Sequence, residues 1–212
     1  MEQEKDWYLY EKEALAQGFS YICGVDEAGR GPLAGPVYAA AVILPLDLKI
    51  EGLNDSKKIS EKKREQLFPI IKEKSIAYSI AFATEKEIDE LNILNATFLA
   101  MKRAVNGLKI KPDYALIDGN RLPKLNIESQ SIIKGDSLSA SIAAASILAK
   151  ISRDRFMMEL SKDYPQYEFQ KHKGYGTKLH RDLLKKYGPS LVHRKTFLSK
   201  ILKDTAYYES IK

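Results

Sequence analysis

The sequence predicts an α/β fold built on a mixed β-sheet with helices on its faces. Three observations point there. Two short apolar runs, residues 21–26 and 37–44, follow each other closely and are separated by a Gly/Pro cluster. The later apolar runs are separated by stretches of helical periodicity, long enough to cross over between parallel strands. The resulting order, β-β-α-β-α-β-β-α followed by helices, combines hairpin-like and crossover links, as a mixed sheet requires.

Residues 7–16, with Trp7, Tyr8, Tyr10 and Leu15, read as an amphipathic helix that stops at Gly18. Residues 21–26 form a first strand, ending in the Gly/Pro cluster 29–36, and residues 37–44 a second, closed by Pro45. Residues 60–74 read as a helix with Ser60 as N-cap, and Pro69 is expected to kink it. Residues 75–83 alternate through Ile76, Tyr78, Ile80 and Phe82, which predicts a third strand. Thr84-Glu85-Lys86-Glu87 is a capping box. It opens one long helix carrying Ile88, Leu91, Leu94, Phe98, Met101 and Val105 and ending at Gly107. Strands follow at 114–118, stopping at Gly119-Asn120, and at 131–134, stopping at Gly135-Asp136. A helix over 137–160 begins rich in Ala and Ser, and further helices are expected at 178–187 and near the C-terminus. This divides the chain into an N-terminal helix (1–20), a core (21–160) and a basic helical region (161–212) packed on it.

The composition is that of a globular chain: 212 residues, 44% hydrophobic and 29% charged. Global disorder is excluded. The single cysteine, Cys23, sits in an apolar run and rules out an internal disulfide. The acidic start, Met1-Glu2-Gln3-Glu4, does not resemble a secretory signal, and the nearly uncharged stretch 137–149 is too short to span a bilayer. We therefore expect a cytoplasmic monomer with no membrane partner. The net charge of +6 is unevenly spread: residues 150–212 hold 15 Lys/Arg against 7 Asp/Glu. A basic stripe runs through Lys171, Lys173, Lys178, Arg181, Lys185, Lys186, Arg194 and Lys195. Such a stripe suits a polyanion partner or a solvated helix face.

Three acidic positions share one description. Asp26-Glu27 closes the first strand, Asp118 closes the fourth, and Asp136 follows the fifth and starts a helix. Taken singly, Asp118 reads equally as an Asx turn and Asp136 as an N-cap. Taken together, they imply strand ends converging on one sheet edge. One carboxylate pair at about 4 Å costs roughly 4 kcal/mol at an effective dielectric near 20, so a divalent cation or protonation must offset it. An all-oxygen set points to Mg²⁺ or Mn²⁺. Strand alternation opposes a shared site for Asp26 and Glu27 unless the backbone bends away near Gly29. The loop Ala28-Gly29-Arg30-Gly31-Pro32 brings flexible backbone and a planar donor fork beside those acids, without the Gly-Lys-Ser/Thr of a P-loop.

At these residues the sequence resembles ribonuclease HII. The resemblance runs from about Tyr21 to Phe197. It is carried by Gly24-Val25-Asp26-Glu27-Ala28-Gly29-Arg30-Gly31-Pro32, Leu53-Asn54-Asp55-Ser56-Lys57, Ile117-Asp118-Gly119-Asn120, Lys134-Gly135-Asp136, His172-Lys173-Gly174-Tyr175-Gly176-Thr177 and His193-Arg194-Lys195-Thr196-Phe197. It implies an RNase H-like five-stranded mixed sheet flanked by helices, with a C-terminal helical region. It also implies hydrolysis of the RNA strand of RNA–DNA hybrids and incision 5′ to ribonucleotides embedded in duplex DNA. Asp26, Glu27, Asp118 and Asp136 are the expected ligands of two ions, Mg²⁺ or Mn²⁺. The backbone of Gly29, Arg30 and Gly31 is expected to bind the 2′-hydroxyl, and Tyr175 to stack on the next sugar. Lys57, Lys173 and the basic stripe would hold phosphates. His172, His180 and His193 are expected to be structural, and Arg153, Asp154 and Arg155 either reach nucleic acid or form helix salt bridges. Competing readings are another strand-end-acid nuclease, a basic nucleic-acid-binding module and a phosphate-binding metabolic enzyme. The binding module leaves the converging acids without purpose, and the metabolic enzyme lacks the usual helix-start motif.

Overall fold

The computed structural model describes residues 5–54, 56, 59–199 and 201–202. Five strands form one mixed sheet in the order β3-β2-β1-β4-β5. They are β1 (Ile22–Ala28), β2 (Val37–Ile43), β3 (Ala77–Ala83), β4 (Tyr114–Asp118) and β5 (Glu128–Ile132). β1, β2 and β3 pair antiparallel, whereas β4 pairs parallel to β1 and β5 parallel to β4. The short links and helical crossovers of the sequence correspond to these two halves.

Helix α1 (Leu9–Ala16) leads into β1, and α2 (Glu61–Lys74) and α3 (Glu85–Asn106) flank β3 in sequence. Helix α4 (Ala140–Asp163) follows β5, and α5 (Phe169–His172), α6 (Lys178–Tyr187) and α7 (Lys195–Leu198) form the C-terminal part. Alternation along the strands builds two cores. Cys23, Val25, Ala39 and Ala41 pack with Ala96, Ala100, Met101 and Ala104 of α3 on one face. Ala40 and Val42 pack with Leu67 and Ile71 of α2 and Ala144 and Leu148 of α4 on the other. The alanines let α4 lie close to the sheet. At Gly24 the approach is so tight that a Cβ would collide with the backbone of Ser141 and Ile142.

Several boundaries differ from the sequence expectation. β1 does not stop at Asp26 but stays paired with β2 through Glu27 and Ala28. β5 begins at Glu128 and ends at Ile132 rather than spanning 131–134. Its polar Glu-Ser-Gln-Ser start suits a half-covered edge strand, which apolar patterning does not reveal. α4 starts at Ala140 with Ser139 as N-cap, so Asp136 lies on a separate 3-10 turn, Gly135–Ser137. α2 runs unbroken through Pro69. The break falls instead in α3, where Asn92 has φ 67°. Asn tolerates the left-handed region, and its side chain accepts the amides of Leu94 and Asn95, capping the second segment. α1 buries Glu11 rather than a purely apolar stripe: that carboxylate accepts the Ser139 hydroxyl at 2.6 Å and the Ser141 amide at 3.1 Å. The N-terminal helix thereby grips the start of α4.

Candidate active site

The C-terminal ends of β1 and β4 and the turn after β5 bring three carboxylates together. One oxygen from each of Asp26, Asp118 and Asp136 lies within 4.8 Å of the other two. β4 is parallel to β1 with Ile117 opposite Val25, so Asp118 falls next to Asp26. Both point to the α4 face, because Val25 and Ile117 point to the α3 core. Lys134, at φ 60°, reverses the chain after β5 and presents the 3-10 turn. Asp118 Oδ1 accepts the Gly135 amide at 2.7 Å and the Asp136 amide at 3.4 Å. The fourth strand thus holds the turn that carries Asp136.

Burial, and then the charges of Glu27 and Asp118, push the Asp26 carboxyl well above its usual pKa. Partial relief comes from the Glu27 amide, which donates to Asp26 at 2.7 Å, and from the Ser146 side chain on α4. Ser146 in turn shares a 2.6 Å hydrogen bond with Ser56, connecting that residue to Asp26. Sequence reading names Ser56 only as part of its motif and misses Ser146, since a serine in an Ala/Ser helix carries no distinctive signal. Three clustered carboxylates, two of them buried, form an all-oxygen donor set whose charge a hard divalent cation would offset.

Glu27 does not join the three. Alternation turns it toward α3, and the bend expected near Gly29 comes too late to bring it round. It lies beside Arg30, with Arg30 Nη1 3.3 Å from its Oε1. Glu27, Arg30, Phe98, Met101, Asp118 and Arg121 help to line a cavity of about 380 Å³ that abuts the carboxylates. A larger cavity of about 630 Å³, near Trp7 and Leu48, contains none of them.

The Gly/Pro loop after β1 is held from behind by two buried guanidinium groups. Arg153 donates to the carbonyls of Pro36, Ala34 and Lys173 at 3.0, 3.1 and 3.0 Å. Arg194 donates to those of Gly35, Arg30 and Gly29 at 2.8, 2.9 and 2.6 Å. Burial lowers both pKa values, and for Arg194, with Arg153 nearby, the value falls to about 9. Arg194 is therefore not part of a solvent-facing stripe, and Arg153 neither reaches solvent nor makes a helix salt bridge. Its neighbours do the latter: Asp154 pairs with Lys150 at 2.7 Å and Arg155 with Glu65 at 2.5 Å. Gly29 has φ 97° and sits directly on Arg153, whereas a Cβ on Gly31 would enter open space.

Tyr175 is exposed beside this loop, with the Lys150 ammonium 5.9 Å and the Arg153 guanidinium 5.6 Å from its ring centre. The backbone behind it is fixed by the three histidines. The Ser190 amide donates to His193 Nδ1 at 3.0 Å, so the His193 proton lies on Nε2. That atom faces His180 Nε2 at 3.1 Å, which leaves the His180 proton on Nδ1, 3.0 Å from the Tyr175 carbonyl. His172 accepts the Gly174 amide at Nδ1 and donates through Nε2 to the Tyr167 carbonyl. This chain of donors is satisfied by neutral rings. Burial pushes the pKa of His180 down to about 4 and that of His193 to about 3. The expected structural role of the histidines agrees with this geometry.

Of the basic stripe, Lys171, Lys178, Arg181, Lys185, Lys186 and Lys195 are exposed. The Lys173 ammonium turns back onto the Gln170 carbonyl at 2.6 Å. Lys57 lies outside the described residues.

Comparison with known proteins shows the family. The Ribonuclease HII family model matches residues 23–200. The chain is 56% identical over 202 residues to Ribonuclease HII of Caldicellulosiruptor bescii, covering 95% of this chain and 98% of that protein. It is 55% identical over 194 residues to Ribonuclease HII of Clostridioides difficile, covering 92% and 76%. Among solved structures, ribonuclease H2 from Pyrococcus horikoshii superposes with a TM-score of 0.71 at 30% identity, covering 87% of this chain and 98% of that one. An RNase HIII crystallised with Mn²⁺ shares the fold at 17% identity and a TM-score of 0.63, covering 90% and 64%.

Proposed function

The chain belongs to the ribonuclease HII family, metal-dependent hydrolases that cut the RNA strand of RNA–DNA hybrids, and on that premise we propose that it also incises duplex DNA 5′ to single embedded ribonucleotides. The products would carry 3′-hydroxyl and 5′-phosphate ends. We further propose that it acts as a monomer in the cytoplasm. The observation that supports this reading best is the convergence of Asp26, Asp118 and Asp136 within 4.8 Å at one end of the sheet.

Two divalent ions, Mg²⁺ or Mn²⁺, would supply Lewis acidity at the scissile phosphate and a water of lowered pKa. Asp26, Asp118 and Asp136 would hold that charge, and Glu27, which lines the adjoining cavity, would be the fourth carboxylate of the set. No side chain has to act as nucleophile. Asp118 also keeps Asp136 in place through the Gly135 amide. The 2′-hydroxyl alone separates ribose from deoxyribose, so selection falls to groups near the sugar. The backbone of Gly29, Arg30 and Gly31 approaches the 2′-hydroxyl, and Arg30 stays within reach of a neighbouring phosphate. Tyr175 stacks on the following sugar and favours deoxyribose there. Lys57, Lys173 and the exposed basic residues contact phosphates along the duplex.

The test is gel analysis of a duplex with one embedded ribonucleotide, in Mg²⁺, Mn²⁺ or chelator. The expected result is metal-dependent incision 5′ to the ribonucleotide. Cleavage in chelator, or equal cutting of an all-DNA duplex, would overturn the reading.

A further inference from the structure

We infer that Arg153 is a positioning residue that sets the separation between the ribose-reading loop and Tyr175, and through it the preference for an RNA–DNA junction. The inference rests on the assignment of those two segments under the proposed function, and it concerns a residue buried behind both of them.

Arg153 is 1% exposed and sits on α4, so its backbone is fixed by the same helix that packs on β1. Its planar fork reaches two segments remote in sequence. Nε and Nη2 take the carbonyls of Pro36 and Ala34 at the end of the Gly/Pro loop. Nη1 takes the carbonyl of Lys173, two residues before Tyr175. Gly29 lies on the guanidinium so closely that a Cβ there would overlap Nε, which places the start of the loop on the same group. The Tyr175 ring centre is 5.6 Å from Cζ, within cation–π range. Both recognition segments are therefore referenced to one rigid, five-donor plane. Among the described residues, the buried Arg194 guanidinium makes its hydrogen bonds to the loop alone. A lysine at 153 keeps the charge but has a single point of donation, and cannot hold three carbonyls in fixed directions.

The experiment compares wild type, Arg153→Lys and Tyr175→Ala. It measures kcat/KM on a duplex with one embedded ribonucleotide and on a continuous RNA–DNA hybrid. The Mn²⁺ concentration for half-maximal rate and the melting curve report on the carboxylates and the fold. In Arg153→Lys the ratio of the two kcat/KM values is expected to fall about tenfold, as expected for displacement of positioned groups, with half-saturating Mn²⁺ unchanged. Equal losses on both substrates, or an unchanged ratio where Tyr175→Ala does change it, would overturn the inference alone. An unchanged ratio in both variants would overturn the assignment of Tyr175 and the inference with it. Should Arg153→Lys fail to fold, hydrogen exchange on wild type decides. Binding the ribonucleotide duplex in chelator should protect residues 29–36 and 173–175 together, and protection of one segment without the other would overturn the coupling.

Discussion

Asp118 Oδ1 accepts the backbone N–H of Gly135 at 2.7 Å, so the carboxylate that ends β4 also positions the turn bearing Asp136. An asparagine oxygen retains that bond. Asp118→Asn should therefore fold normally while losing one metal-binding charge. Loss of about 4 kcal/mol of transition-state stabilisation corresponds to roughly 10³-fold in rate. Steady-state cleavage of a hybrid across a range of Mg²⁺ and Mn²⁺ measures it, and wild-type rates at any metal level would refute the role of Asp118.

The two glycines flanking Arg30 differ in what surrounds them. Gly29 has φ 97° and lies against Arg153, whereas Gly31 has open space on its Cβ side. Gly29→Ala should lower stability by about 1–3 kcal/mol through backbone strain alone, before the clash is added. Gly31→Ala should melt like wild type, so a loss of ribonucleotide cleavage in that variant reports close approach of the substrate. Thermal melts and cleavage assays on the pair separate the two effects, and equal melting temperatures would contradict the strain argument.

Tyr175 is exposed and its main chain is pinned by His180, so removal of the ring should not disturb the loop. Tyr175→Ala is expected to lose the preference for a single embedded ribonucleotide more than it loses hybrid cleavage. Equal loss on both substrates would count against stacking on the sugar.

Six exposed cations, Lys171, Lys178, Arg181, Lys185, Lys186 and Lys195, remain from the basic stripe once Arg194 is known to be buried. If about five phosphate contacts form, the logarithm of affinity should fall with the logarithm of salt concentration with a slope of roughly −4 to −5. Fluorescence anisotropy with a labelled duplex measures the slope. A value near zero would mean that the stripe is only a solvated surface.

His180 and His193 are held neutral in the fold, with pKa values pushed from 6.5 to about 4 and about 3. In the unfolded chain both take up protons as the pH drops through about 6.5. Their contribution is thus complete above that value and is lost progressively as the pH falls toward the folded pKa values. Between pH 7 and pH 5 the loss is roughly 2 kcal/mol per histidine. Urea unfolding at the two pH values checks this. A native-state NMR titration of either imidazole near pH 6.5 would overturn it.

Much of the fold is legible in residue patterns because the forces involved are local. The capping box at Thr84 and Glu87 forms as read, since both partners lie within one helical turn. The strand-ending Asp118 is equally plain, because Gly119 stops the apolar run. The break at Asn92 is not legible, since the apolar spacing continues through it. The polar edge strand β5 is missed for the opposite reason: its residues need not be apolar to pair. Of the four acids expected in one cluster, Glu27 is the one the structure turns aside, by the strand alternation already visible in sequence.

By itself, the sequence determined the element types, the family motifs and the presence of acids where strands end. Those depend on neighbours a few positions apart. Tertiary structure alone decided that Asp26, Asp118 and Asp136 share a space, and that Arg153 and Arg194 face inward onto carbonyls rather than outward to phosphate. Asp26 lies 92 residues from Asp118, and Arg153 and Arg194 reach carbonyls of the loop after β1 more than a hundred residues away; which face of a helix is covered depends on what the rest of the chain packs against it.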